Sequence, residues 1–341
     1  MLLSVIIKNK FVNLKRKPMN KIEFPRTSYD GSLVSQKDLE SWFCNEFEAE
    51  ILQRLNSIDS ANYSFLQKRT LSWIKCSLHC ILIASPRWLE RVSNIVSNFS
   101  KDMFRYQDAN HRWQSTDFGE AIYEAFNYGG YRKNKLILLA EKLNIKSCPY
   151  CNMHYTLFAE NGEYYKDKLT KFQFDHFFAK ADYPFLSMSL YNLIPSCAVC
   201  NQGKSTGHLS LKFHPYNSSI ADQFHFEVAD PLSLYAGGKK DRIELKMIPD
   251  NATQAEIKEF DDTFHLHTLY RRHGDIAQEV FDKAYEEPYY LDSSSFKFLS
   301  CAASEYMLRL TYGAYLDKDE IEKRPMSKFI QDLRKQALAS K

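Results

Sequence analysis

Long apolar runs are missing from this sequence. The best candidate, residues 73–84, is interrupted by Lys75 and His79 and falls short of the roughly 20 residues that span a bilayer, so no membrane association is expected. Glycine and proline are scarce, 11 of each in 341 residues, which excludes collagen-like and low-complexity chains. Excess charge is lacking too. Lys and Arg number 45 against 42 Asp and Glu, and a net +3 is too little for a histone-like, wholly basic binder. What charge there is lies unevenly, because residues 1–26 carry seven basic side chains and one acid. No basic stretch precedes the apolar start, and no small-residue cleavage site follows it. The expectation is therefore a cytoplasmic protein without a signal peptide, with Met19 as an alternative start. A chain that is 44% hydrophobic and 14% aromatic has ample material for a core, and its length suggests about two domains.

Helical patterning dominates residues 35–147. Ser35 and Asp38 form a capping-box pattern, followed by Leu39, Trp42, Phe43, Phe47, Ile51 and Leu55 at helical spacing. Ser85-Pro86 reads as a helix start. Residues 117–126 and 133–143 read as two helices separated by Gly129-Gly130. At Cys148 the texture changes. Asn161-Gly162, flanked by residues 155–158 and Tyr164-Tyr165, predicts a hairpin. Residues 171–174 alternate as a strand that ends at Asp175-His176, and Pro195 closes an irregular stretch. A short helix is expected near Cys197. Helices return beyond Leu245, with a capping box at Thr253 and Glu256 and further helices over 293–316 and 325–339.

Eight cysteines are present, and a chain of this size in a reducing compartment does not need disulfides. Four of them form two C-x-x-C pairs, Cys148/Cys151 and Cys197/Cys200. That is the usual thiolate set of a tetrahedral structural zinc site. The 45 residues between the pairs exceed the spacing of a compact zinc ribbon and must hold folded structure. A thioredoxin-like role has no βαβ context around either pair. Cys76 and Cys80, at i and i+4 around His79, could ligate metal, but their apolar neighbours predict buried core, as for Cys44 and Cys301.

Between and after the pairs lie Phe174-Asp175-His176-Phe177, then Asn192 in Tyr191-Asn192-Leu193-Ile194-Pro195. Asn201 follows in Cys197-Ala-Val-Cys200-Asn201-Gln-Gly-Lys204. Hydrolysis of a phosphodiester needs an activated water, a cation for developing charge and help for the leaving oxygen. A histidine, here His176, suits the base role because it titrates near neutrality. Asp175 is a hard oxygen ligand suited to Mg²⁺ or Mn²⁺, and Asn201 can supply a second oxygen. Lys204, one turn beyond Asn201, could face a phosphate.

In this order and interlock, residues 148–216 resemble the zinc-knuckle form of the HNH endonuclease family. The resemblance implies an α+β, predominantly helical fold class with a small ββα-metal, treble-clef-like core. Within it, Cys148, Cys151, Cys197 and Cys200 would hold structural zinc. His176 would be the general base, Asp175 and Asn201 the ligands of the catalytic cation, and Asn192 the brace of the loop that holds the base. The segment departs from the family in carrying Asn201 where His is frequent and Ala179 where relatives often have Pro. The expected organisation is a basic leader at 1–26, a helical region at 27–147, the nuclease core at 148–216 and a mainly helical region at 217–341.

The implied activity is metal-dependent hydrolysis of nucleic acid, with DNA favoured and structured RNA the other target. A catalytically inactive zinc module that binds nucleic acid or a partner is the alternative, although such a module has no need of Asp175, His176 and Asn201 together. The core carries six Lys, no Arg and five acids, so phosphate contacts must come partly from elsewhere. Arg132, Lys133 and Lys135, and Arg271-Arg272, are candidates. Asn127-Tyr128-Gly129-Gly130, Cys148-Pro149-Tyr150-Cys151-Asn152 and His214-Pro215-Tyr216 further resemble the HNH component of Septu-type bacterial anti-phage systems. That resemblance implies an SMC/ABC-type ATPase as partner. His214 and His208 are expected to be structural, and His154, which sits by the first cysteine pair and could neighbour the zinc, is assigned no role.

Overall fold

The computed structural model describes residues 22–160, 168–170, 172–234, 243–292 and 301–340. The leader up to residue 21 and the turn Asn161-Gly162 with Tyr164-Tyr165 lie outside the described residues. After a short pairing of β1 (Arg26–Thr27) with β2 (Leu33–Val34), the first long helix is α1 (Gln36–Asn56). Ser35 caps it. Its side chain accepts from the Asp38 amide while the Asp38 carboxylate accepts from the Ser35 amide, satisfying donors that the first turn leaves free. Leu39, Phe43, Phe47, Ile51 and Leu55, each four residues from the last, bury one face, worth about 1.5–3 kcal/mol per side chain.

Helices α2 (Phe65–Cys76), α3 (Leu78–Leu82) and α4 (Pro86–Phe104) follow. Here one expectation fails: Cys76 and Cys80 are exposed. α2 turns Leu71 and Ile74 inward, α3 turns Leu78, Ile81 and Leu82 inward, and the two thiols fall on the other side. Cys44 is buried as expected.

A hairpin of β3 (Arg105–Gln107) and β4 (Trp113–Ser115) leads into α5 (Asp117–Phe126). Thr116 caps α5 by accepting from the Gly119 amide at 3.0 Å, and Thr116 Oγ1 donates to the Met103 carbonyl. Gly119 is required there, because a Cβ would sit 2.2 Å from the Phe104 carbonyl oxygen. α5 ends at Asn127, left-handed at φ +49°. The expected break at Gly129-Gly130 is instead a single helical turn, α6 (Tyr128–Tyr131), before α7 (Leu136–Leu143).

Beyond the first cysteine pair, β5 (Phe158–Glu160) pairs antiparallel with β6 (Lys168–Thr170). The hairpin is therefore longer than predicted, its second strand lying beyond Tyr164-Tyr165. β7 (Gln173–His176) pairs antiparallel with β8 (Leu193–Ser196), Phe174 opposite Pro195 and Asp175 opposite Ile194. Pro195 thus belongs to a strand rather than an irregular stretch. A two-stranded sheet has only edges, where a residue without an amide hydrogen is tolerated. α8 (Ala198–Lys204) starts at Cys197 as expected.

Residues 245–249, expected to begin the returning helices, instead form a strand. β9 (Phe224–Val228) and β10 (Leu245–Pro249) pair with Phe224, Phe226, Val228 and Leu245 buried. Then come α9 (Gln254–Phe264), with the expected Thr253/Glu256 capping box, α10 (Leu266–Tyr270), α11 (Gly274–Asp292), α12 (Cys301–Tyr312) and α13 (Ser327–Ala339). The architecture is mainly helical with small antiparallel two-stranded sheets. Buried side chains from the N-terminal helices, the cysteine region and the C-terminal helices form one hydrophobic cluster. Among the described residues, no helix is long and apolar enough to cross a membrane.

Candidate metal centre and active site

The 45-residue excursion between the cysteine pairs returns so that Cys148, Cys151, Cys197 and Cys200 converge, all buried. Cys151 Sγ lies 3.9 Å from Cys197 Sγ. A tetrahedron of bonds about 2.3 Å long has edges of roughly 3.8 Å, so the spacing suits a zinc-sized ion with thiolate ligands. Backbone amides point at the sulfurs: Met153 to Cys151, Cys197 to Cys148 and Cys200 to Cys197, each at 3.4 Å. Such donors favour the thiolate form that a metal requires. The group can hold a metal such as zinc. His154 Nδ1 is 3.7 Å from Cys151 Sγ, beside the group.

The residue after the first pair ties this knot to the end of the chain. Asn152 is buried and left-handed at φ +48°. Its Nδ2 donates to Ser147 Oγ and to the carbonyls of Ile321 and Arg324. Its Oδ1 accepts from the Lys328 amide, and its own carbonyl from the Met326 amide. Tyr270 adds a hydroxyl donated to the Cys151 carbonyl at 2.6 Å. Neither role has a sequence signal beyond the position of Asn152 beside the knuckle.

Next to the cysteines, β7, β8 and α8 bring the other candidates together. Asp175 is 3% exposed. Its carboxylate accepts from the Tyr150 hydroxyl at 2.7 Å and from Lys204 Nζ at 3.3 Å. Lys204, only 2% exposed, also donates to the His176 carbonyl at 2.7 Å. A solvent-facing, phosphate-ready lysine is thus not what the fold provides: α8 lies against β7 and turns the ammonium inward. Burial pushes the Asp175 carboxyl up and the Lys204 ammonium down, each opposed by the other's charge. Asn201, one turn earlier on α8, donates its side-chain amide to Gln173 Oε1, on the same β7 face as Asp175.

His176 points to the opposite face and is 6% exposed. Its Nε2 lies 2.9 Å from the Ser187 carbonyl, which fixes that nitrogen as the protonated one and leaves Nδ1 as the unprotonated acceptor. The Tyr128 ring packs edge-on against it at 4.5 Å. Burial, with the positive charges of Lys180, Lys204 and Arg132 nearby, pulls its pKa down to about 3. Lys180 Nζ sits 4.6 Å above the Tyr128 ring. Of the basic run singled out in sequence, Arg132 thus acts on this face, whereas Lys135 is taken up by Glu46 and Glu50.

Asn192 is fully buried and clamps the connection between β7 and β8. Its Oδ1 accepts from the Phe178 amide at 2.7 Å, and its Nδ2 donates to the carbonyls of Phe178 and Leu186. The same connection is packed from outside by the N-terminal helices. Phe185 meets Trp73 and Phe104, and the Tyr191 hydroxyl donates to Glu40 at 2.6 Å. His214 is buried against Phe177, and His208 is exposed. Tyr150, Tyr128, Lys180 and Ser187 were not singled out as site residues in the sequence, because single aromatic, lysine and serine residues carry no signal there.

No family model matches the chain, and neither a curated protein nor a solved structure matches it.

Proposed function

We propose that this chain is a divalent-metal-dependent HNH endonuclease. The observation that carries the reading is the convergence of β7, β8 and α8 beside the four-cysteine group, with Asp175 and Asn201 on one face and a backbone-oriented His176 at the strand end. Structural zinc in the cysteine group would lock the strand to the helix. Asp175 and Asn201 would hold Mg²⁺ or Mn²⁺, whose bound form would stabilise charge on the phosphate and leaving oxygen. His176, with Nε2 held by Ser187, would take the proton of the attacking water at Nδ1. Asn192 would keep the His176 loop in register, and Tyr150 and Lys204 would position the Asp175 carboxylate. The cation would share that carboxylate with the Lys204 ammonium. Lys180 and Arg132, on the His176 face, would meet the phosphate. Nucleic acid would be the substrate, and an SMC/ABC-type ATPase of an anti-phage system the partner.

The second reading, an inactive zinc module that binds nucleic acid or a partner, is favoured by the near-complete burial of Asp175 and His176. In the nuclease reading that burial requires an opening step when substrate or partner binds.

The test is cleavage of plasmid DNA and of total RNA in Mg²⁺ or Mn²⁺, wild type beside His176→Ala, with and without the ATPase. Cutting by wild type alone is expected. Equal cutting by both proteins would remove His176 from the reaction. Folded, metal-loaded protein that cuts under none of these conditions would favour the binding module.

A further inference from the structure

A second set of metal-ligating side chains lies away from the four-cysteine group, on the N-terminal helices. Cys44 and Glu48, at i and i+4, share one face of α1, and His79 projects from α3 toward them. The Cys44 sulfur, a Glu48 carboxylate oxygen and a His79 ring nitrogen all lie within 4.8 Å of one another. His79 Nδ1 is 2.8 Å from Glu48 Oε2. Burial, with the Glu48 and Glu40 carboxylates nearby, pushes the Cys44 thiol up to about 12, so without an ion it stays protonated.

We propose that Cys44, Glu48 and His79 form a second metal site, for a borderline divalent transition ion of the zinc class. One thiolate, one imidazole and one carboxylate are a mixed donor set that suits such an ion better than Mg²⁺ or Ca²⁺. A four-coordinate ion with nitrogen and oxygen bonds of about 2.0–2.1 Å needs those two atoms roughly 3.4 Å apart, a small opening from the present pair. Glu48 and His79 can make it, since their side chains are 33% and 60% exposed. Cys44 is the buried anchor, and the surface side leaves a fourth position to solvent. Binding breaks the Cys44 S–H bond, the sulfur keeps the electron pair as a thiolate ligand, and the proton leaves to solvent.

The full chain, with zinc already in the four-cysteine group and thiols kept reduced, is titrated with Co²⁺. One further equivalent is expected, with a near-ultraviolet sulfur-to-cobalt band and visible bands of a four-coordinate ion. His79→Ala and Glu48→Gln, both at the surface, should lose that equivalent while keeping their zinc and their helical circular dichroism. Cys44→Ser should lose the sulfur band, but this buried position can also cost folding, so the surface variants decide. No saturable cobalt band in wild type would overturn the proposal. So would an undiminished band in His79→Ala and Glu48→Gln, which would report cobalt exchanging into the four-cysteine group.

Discussion

Asn192 satisfies one backbone amide and two backbone carbonyls in a place that water does not reach. Asn192→Ala orphans the amide and carbonyl of Phe178, at about 1–3 kcal/mol each before relaxation, while the Leu186 carbonyl keeps the Ser189 amide, so a loss of several kcal/mol is expected in urea unfolding. Asn192→Asp keeps the acceptor and loses both donors, and should recover little. Lys204 and Asp175 give a second test, through pH. Burial raises the folded-state pKa of Asp175 above its unfolded value of 3.8, so its ionised form costs stability at neutral pH and the cost fades as pH falls through the raised value. Lys204→Met removes the opposing charge and raises that pKa further. The variant is expected to be destabilised at pH 8, with the gap to wild type narrowing toward acid, where protonated Asp175 no longer needs a partner and wild-type Lys204 is the unpaired charge. A gap independent of pH would mean that Lys204 matters only by its volume. His176 carries the opposite sign: burial depresses its pKa from 6.5 to about 3, so the neutral ring persists well below pH 6.5. The ring is therefore expected to stay neutral in the folded, substrate-free protein, and an NMR titration of the His176 ring protons with a midpoint near 6.5 would contradict its burial.

Elements with local punctuation were legible in the sequence, and those defined by distant partners were not. Ser35/Asp38, Pro86 and Thr253/Glu256 signal their helices by groups a turn away, and the helices start where those signals stand. The pairing of β9 with β10 needs residues some 20 apart, and α13 completes it: Asp332 accepts from the Phe226 amide and Gln336 from the Val228 amide. The exposure of Cys76 and Cys80 was misread because apolar neighbours in sequence do not say which helix face a partner covers. The cysteine spacing was sufficient to bring four sulfurs together, whereas nothing in it reveals that Tyr150, inside the first pair, holds Asp175. Metal removal tests the element scale. Stripping the four-cysteine group with a mercurial thiol reagent and a chelator should erase the fixed near-ultraviolet signal of Tyr150 and Tyr270. The far-ultraviolet helix signal should largely remain, since α1 and α5 bury their apolar faces among the N-terminal helices. Loss of both signals in one step would mean that the helical flanks depend on the metal.

Across the whole molecule, the C-terminal helices close over the cysteine region rather than standing apart. Ser147 donates its amide to the Glu322 carbonyl and its hydroxyl to that of Ile321, and Arg26 pairs with Glu322 at 2.5 Å. Removing residues 314–341 strips Asn152 of its partners at 321, 324, 326 and 328 and leaves buried polar groups unpaired. Such a truncated chain is expected to bind metal through its four cysteines yet unfold at lower urea, with new protease cleavage around residues 147–156. Unchanged urea resistance would show the C-terminal segment to be an independent appendage.

That closure also has a consequence in time. A ribosome adds residues at roughly 5–20 per second, and 120 residues separate Cys200 from Ile321. The four thiols are all made on the order of ten seconds before the segment that Asn152 must grip. During translation, metal capture can therefore come first, and the nascent chain waits with its knot tied and its last partners still unwritten.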